Sequence, residues 1–185
     1  MTSLWGLPRQ AVIDGVSYPI HSDFRDILEI ITYLEDETEP EFVRWQIALA
    51  LFYPTVPADT RQAMTFLADF ISGGQQTGRP GPKLLDWQQD AQLIIADVNR
   101  AAGQELRSLP YVHWWSFLSW FHAIGEGQLS TVVAIRNKLH KGQKLEAWEQ
   151  EFYRENKKLI DLKPRYSREE LAEQERLKNL LRIET

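Results

Sequence analysis

Between Arg107 and Glu126 lie eighteen consecutive residues without a charged side chain, and the middle of this segment is dense in aromatic residues. Its centre reads Tyr111-Val-His-Trp-Trp-Ser-Phe-Leu-Ser-Trp-Phe-His-Ala-Ile124. The length reaches the lower limit for a membrane span. However, His, Ser and Pro lower its apolarity, and its Trp residues lie in the middle instead of at the ends. We therefore predict a helix from about Pro110 to Ile124 that is buried within a helical bundle.

The large side chains of this segment cover nearly the whole circumference of the predicted helix. Any single one of them most often belongs to a core, but so many around one helix are hard to bury within one small domain. We therefore expect part of this surface to contact a second copy of the chain or a partner protein. The candidate partner-binding anchors are Trp114, Trp115, Phe117 and Trp120.

Apolar residues recur at helical spacing through most of the remaining sequence, which predicts a mainly α-helical bundle of about seven or eight helices. The predicted helices cover about residues 22–34, 39–52, 57–72, 86–102, 110–124, 130–139 and 145–160, and a last one begins near Ser167. The second of these is expected to bury its apolar residues, which are Phe42, Trp45, Ile47, Leu49 and Phe52.

One segment predicts β-structure. Asp14-Gly15 is flanked by β-branched and aromatic residues, and this dipeptide readily adopts the positive φ angles of a type I′ turn. We therefore predict a small N-terminal hairpin over roughly residues 10–20. Such a hairpin is marginal alone and must pack on the helices or pair with another chain.

Two further segments divide the chain. Residues 73–82 hold four Gly and two Pro, which predicts a mobile loop; it does not predict a phosphate site, because no strand precedes it and no Gly-Lys-Ser/Thr closes it. Pro164 separates the last helix, so we expect a helical domain over 1–163 and a C-terminal helix over 164–185. That helix begins with a capping-box pattern, Ser167-Arg-Glu-Glu170. Its narrow apolar seam is a second candidate partner-binding surface, formed by Leu177, Leu180 and Leu181.

Candidate catalytic and metal-binding residues are few. The chain has no cysteine, which removes thiol catalysis and cysteine-bound zinc. His113 and His122 point to opposite faces of the aromatic helix, and we interpret them as imidazoles bonded to backbone or solvent. Asp86 and Asp90 lie one turn apart, a spacing compatible with acid–base chemistry, but acids also suit the start of a helix. We predict no enzyme, no cofactor and no metal.

The distribution of charge and the N terminus bear on partners and location. Residues 1–135 hold 8 Lys and Arg residues against 16 Asp and Glu residues, which disfavours nonspecific nucleic-acid binding, since that binding depends on neutralised phosphates. The first residues lack the basic and apolar regions of a secretory signal. We therefore expect a soluble intracellular protein that binds neither nucleic acid nor membrane.

Several segments, taken together and in order, resemble a known family. They are Val12-Ile-Asp-Gly-Val-Ser-Tyr-Pro-Ile-His-Ser-Asp-Phe-Arg25, Ala48-Leu-Ala-Leu-Phe-Tyr53, Leu85–Ile95, Tyr111-Val-His-Trp-Trp-Ser-Phe117, Ile135-Arg136 and Phe152–Lys157. Over roughly residues 10–162 the chain is similar to the phage gp-fifteen family, which comprises small tail-region proteins of phages and prophages of Gram-positive bacteria. The segment after Lys163 is less typical of that family.

The resemblance implies a function that the residue patterns alone do not name. Members of the family are regarded as tail assembly chaperones, which coat the long, helical, aggregation-prone tape-measure protein while the tail tube polymerises. We therefore expect a non-enzymatic chaperone in the host cytoplasm that binds the tape-measure protein and other tail proteins, and that forms a homo-oligomer. The alternative is a minor structural tail or connector component that is retained in the virion. The family offers no catalytic residue to carry over.

Overall fold

The computed structural model describes residues 6–75, 81–163 and 168–183, and within these ranges a β-hairpin precedes nine α-helices. The strands are β1 (Gln10–Ile13) and β2 (Val16–Pro19), and one 3-10 turn covers Leu106–Ser108. The helices are α1 (Phe24–Leu34), α2 (Glu41–Phe52), α3 (Thr60–Ile71), α4 (Ala91–Ala102), α5 (Trp114–His122), α6 (Gln128–His140), α7 (Ala147–Glu155), α8 (Lys157–Ile160) and α9 (Arg168–Ile183). The predicted mainly α fold with a small N-terminal hairpin is confirmed. None of the described helices is long and apolar enough to cross a membrane.

The hairpin forms at the predicted dipeptide. Asp14 and Gly15 have φ angles of 50° and 76°, as a type I′ turn requires. The strands are antiparallel, and Ile13 lies opposite Val16. Ala11 and Ile13 are buried, whereas Val12, which points to the other face of the sheet, is 67% exposed. One face of the hairpin therefore closes the core of the helical body.

Several helix boundaries differ from the predicted ones because side chains bond to nearby backbone groups. The helix predicted from residue 86 starts only at Ala91, since the Asp86 carboxylate accepts the amides of Gln88 and Gln89 in a separate turn. The helix predicted over 145–160 is two helices that meet at Asn156. The Asn156 side-chain amide donates to the Phe152 carbonyl, which also accepts the Asn156 backbone N–H.

Three predictions concern residues that are only partly described. Residues 76–80 of the predicted loop and Ser167 of the predicted capping box lie outside the described ranges. The division into 1–163 and 164–185 stays a prediction.

The aromatic helix α5 lies in the core, as predicted. The Phe117 ring stacks on Phe24 with ring centroids 4.8 Å apart, and on Trp114 at 5.5 Å. The Trp114 indole N–H donates to the Ile71 carbonyl at 2.9 Å, so this buried polar group is satisfied. In α2, the prediction that Phe42 is buried is wrong, because that side chain is 66% exposed.

A second buried contact joins α6 to the turn before α4 and to α8. The guanidinium of Arg136 donates two hydrogen bonds to the Asp90 carboxylate, at 2.7 and 2.8 Å. Its other donors reach the carbonyls of Leu84, Leu159 and Ile160. All five N–H groups of the guanidinium are thus used, and the two side chains are only 6% and 1% exposed.

This arrangement predicts a large loss of stability when the pair is broken. Arg136→Met leaves the buried Asp90 carboxylate without its counter-charge, which should lower the free energy of unfolding by about 3–5 kcal/mol. The matched control is Arg154→Met on the exposed face of α7, which should stay within about 0.5 kcal/mol of wild type. Urea unfolding followed by circular dichroism measures both variants. If Arg136→Met and Arg154→Met have the same free energy of unfolding, the Arg136–Asp90 pair does not stabilise the fold in this way.

Candidate functional site

The structure separates the four aromatic anchors that the sequence suggested. Trp114 and Phe117 are each 1% exposed, so neither can contact a partner while the domain is folded, and both are core residues. Trp115 and Trp120 are half-buried and pack against the core. They are the two members of the set whose surface remains partly open.

The C-terminal seam remains a prediction. Leu177 on α9 is 53% exposed, which leaves it available to a partner. The side chains of Leu180 and Leu181 lie outside the described part of the structure.

Trp115 lies in a groove of about 710 Å³ beside the N-terminal segment, which we call the N-terminal groove. One wall is formed by residues 7–10 and Val12, and the other is the side of α3 that carries Asp69. Leu7 and Val12 are 46% and 67% exposed. The groove thus presents an open, mainly apolar surface between β1 and α3.

The floor of the N-terminal groove is a row of three aromatic rings. The Phe66 and Phe70 rings stack with centroids 6.4 Å apart, and the Phe70 and Trp115 rings stack at 5.8 Å. The Trp115 indole N–H donates to the Phe70 carbonyl at 2.9 Å, which fixes the ring and satisfies its polar atom. The floor is thus held in place by contacts within the chain itself.

His113 ties the wall of the groove to its floor. The Trp115 backbone N–H donates to Nδ1 at 3.0 Å, and Nε2 lies 2.9 Å from the Pro8 carbonyl oxygen. Because Nδ1 accepts, the proton must be on Nε2, which donates to Pro8, and the imidazole is neutral. Burial lowers the His113 pKa; the bond to Pro8 opposes this effect, and the charge of Arg9 adds to it. The interpretation of His113 as a backbone-bonded imidazole agrees with this geometry.

The charges of the groove are sparse and balanced. Arg9 on one wall and Asp69 on the other are both exposed. Among the described residues, neither side chain forms a salt bridge. The Arg9 guanidinium lies 5.1 Å from the centre of the Tyr111 ring. The net charge that the groove offers a ligand is therefore close to zero.

The carboxylates that were weighed for acid–base chemistry have structural partners. Asp90 is held by Arg136, and its carboxylate also accepts the Asp86 backbone N–H. Asp86 accepts the amides of its own turn and lies 3.2 Å from the Lys83 ammonium. Within the described residues, no three His, Asp or Glu side chains converge as metal ligands would. The structural interpretation of this acid pair thus agrees with the geometry.

Sequence reasoning missed most of the groove. Residues 7–9 carry no periodic pattern that predicts where they lie. The bond between the Pro8 carbonyl and His113, which holds them beside Trp115, is visible only in the structure. Phe66 could have been found, because it lies one helical turn before Phe70 and extends the apolar stripe of α3. Arg136 was also missed as a core residue, although its position next to Ile135 and one turn after Val132 indicates the buried face of α6.

The His113 geometry predicts a dependence of stability on pH. The folded-state pKa lies below the ordinary value of 6.5, so between these two values the unfolded chain binds more protons than the folded one. The neutral His113 side chain should therefore contribute fully to the free energy of unfolding above about pH 6.5. This contribution should be lost as the pH falls through the folded-state pKa.

His113→Asn is the informative variant, because its side-chain oxygen can still accept the Trp115 N–H but does not titrate. Its free energy of unfolding should fall less steeply with acid than that of wild type. The exposed His122→Asn should keep the wild-type steepness. The prediction is wrong if His113→Asn and wild type lose stability in parallel.

Comparison with known proteins gives a family match. The model of the family described as Bacteriophage Gp15 protein matches residues 6–162. No curated protein and no solved structure gives a match. The matched range includes both walls and the floor of the N-terminal groove and ends before α9.

Proposed function

The chain belongs to the Bacteriophage Gp15 protein family, and from this premise we propose that it is a non-enzymatic tail assembly chaperone that binds the tape-measure protein. The family is not a known enzyme family. The single observation that carries the proposal is the N-terminal groove, with its open walls and ordered aromatic floor. Binding takes place in the host cytoplasm while the tail is built.

The groove suits a protein segment better than a small molecule. Small-molecule sites enclose most of their ligand and converge several polar groups on it. Here the walls are open, and the floor of Phe66, Phe70 and Trp115 is apolar, with its indole N–H already bonded. A chaperone that covers many apolar segments of one long protein needs such a surface, which selects for apolarity without reading a unique sequence.

The tape-measure protein is the partner that the family resemblance implies. Its long apolar segments stay exposed until the tube closes around them, so a protein that masks those segments must act first. The contact residues in this proposal are Leu7 and Trp115 of the groove, Trp120 at the edge of the core, and the α9 seam that includes Leu177. Other tail proteins and further copies of this chain are additional partners in the same proposal.

One observation favours the alternative, a minor tail component that stays in the virion. Phe42 on α2 and Trp148 on α7 are 66% and 54% exposed, and neither lines the groove. A subunit held in an assembly has several apolar contact surfaces. Purified particles discriminate between the two functions: the chaperone should be absent from them, and a structural component should be present in fixed stoichiometry.

A co-expression experiment tests the chaperone function. Wild-type protein should keep a tape-measure fragment soluble, and Leu7→Asp should reduce the soluble fraction severalfold, because a buried charge at an apolar anchor costs about 2 kcal/mol or more of binding. Leu7 is 46% exposed, so the change should spare the fold.

The matched control is Val56→Asp. Val56 is 42% exposed and does not line the groove, so this variant should solubilise the fragment as wild type does. Equal loss in both variants would remove the groove from the proposal. Failure of the unmutated protein with every tape-measure fragment would refute the chaperone function.

A further inference from the structure

The backbone of β1 has hydrogen-bonding groups that its partner strand does not use. In a hairpin with a two-residue loop, the closing pair Ile13 and Val16 is hydrogen-bonded, and bonded pairs then alternate along the strands. The next bonded pairs are Ala11 with Tyr18 and Arg9 with Ile20, and the Ile20 N–H indeed donates to the Arg9 carbonyl at 3.2 Å. The N–H and C=O groups of Gln10 and Val12 therefore point away from β2.

This outer edge of β1 opens on the N-terminal groove. Pro8 belongs to the same outward-pointing set, and its carbonyl accepts from His113, directly beside Trp115. Gln10 and Val12 themselves line the groove. Among the described residues, no backbone group bonds to the N–H or C=O of either one outside the hairpin. An unpaired strand edge thus runs beside the aromatic floor.

The opposite edge of the hairpin, on β2, offers fewer free backbone donors. Pro19 has no N–H to donate, and the N–H of His21, just beyond it, donates to the Phe52 carbonyl of α2 at 2.9 Å, which leaves the outward-pointing N–H of Ser17. β1 itself holds no Pro and no charged side chain, the residue types with which proteins commonly protect an edge, and Pro8 and Arg9 stand directly before it. Of the two edges in the described part of the hairpin, that of β1 faces the groove.

The charge and the shape of the groove define the occupant. Arg9 and Asp69 balance each other, so an uncharged segment is complementary. A strand places alternate side chains on one face, where they would contact Phe66 and Trp115, while Phe70 lies beneath them at 2% exposure.

We propose that the N-terminal groove binds an extended, uncharged apolar segment of a partner protein, which adds to the free edge of β1 as a third strand. The inference rests on the proposed function and specifies its binding mode: the segment of the tape-measure protein that enters the groove is extended while it is bound, although the family resemblance describes that protein as helical. A helical segment satisfies its own backbone and would leave the Gln10 and Val12 groups unused. The strand mode therefore makes the backbone of the partner part of the recognition.

Backbone methylation of a peptide tests this mode. The probe is a fluorescently labelled peptide of alternating Thr and Val, capped at both ends, with binding measured by anisotropy. N-methylation of one alternate set of its amides should weaken binding about tenfold or more, whereas methylation of the other set should change it by less than about twofold. Equal effects of the two sets, or no binding of the unmethylated peptide, would overturn the strand mode.

The chain offers a matched pair of variants for the same assay. Val12→Pro removes an outward-pointing N–H from the edge of β1 that faces the groove, and Ser17→Pro removes one at the paired position on the edge of β2, which does not line the groove. Val12→Pro should weaken peptide binding about tenfold, and Ser17→Pro should not. Circular dichroism checks that both variants fold. If Val12→Pro does not fold, the methylated peptides still decide the question on the wild-type protein.

The outcomes separate this inference from the proposed function. In one outcome, the wild-type protein solubilises a tape-measure fragment, but methylation of the two sets of peptide amides weakens binding equally. This outcome supports the chaperone function and refutes the strand mode. In the other outcome, methylation of one set alone weakens binding, but no fragment is solubilised. That outcome supports the strand site and refutes the tape-measure protein as the partner.

Discussion

The backbone of residues 22–24 bonds directly to that of residues 112–114, and the arrangement around the N-terminal groove depends on this contact. Phe24 donates to the Val112 carbonyl, and Trp114 donates to the Ser22 carbonyl, at 2.9 and 2.8 Å. The Asp23 carboxylate caps α1 and also accepts the Val112 N–H. The starts of α1 and α5 are therefore fixed side by side, which brings His113 to Pro8 and Trp115 to the wall that β1 forms.

The residues that carry the family resemblance mostly maintain the fold. Asp23 and Arg25 bind the segment before α5, where the Arg25 guanidinium reaches the carbonyls of Leu106 and Leu109. The Arg136–Asp90 pair joins three elements through bonds that leave no donor of the guanidinium unused. Buried polar groups of this kind must be fully paired, because an unpaired one is costly. The N-terminal groove, which is the proposed binding surface, lies beside the contact of Asp23 with the segment before α5.

In the proposed binding mode, the groove combines two kinds of recognition that tolerate many sequences. The aromatic floor selects apolar side chains, and the free edge of β1 offers backbone donors and acceptors that every residue except proline can match. Neither feature needs a particular partner sequence. A protein that must cover successive apolar segments of one long chain benefits from this combination.

The sequence by itself determined the local structure. Asp14-Gly15 fixed the hairpin, helical periodicity predicted most of the helices, and the uncharged aromatic segment predicted a central helix, because each of these signals acts between residues that are close in the chain. Only the tertiary structure decided which side of each helix is covered. It buried Trp114 and Phe117, exposed Phe42, paired Arg136 with Asp90 across forty-six positions of sequence, and formed a groove from residues 7–12, α3 and Trp115. These contacts depend on how distant segments pack, and the spacing of residues along one helix carries no information on which neighbour will cover it.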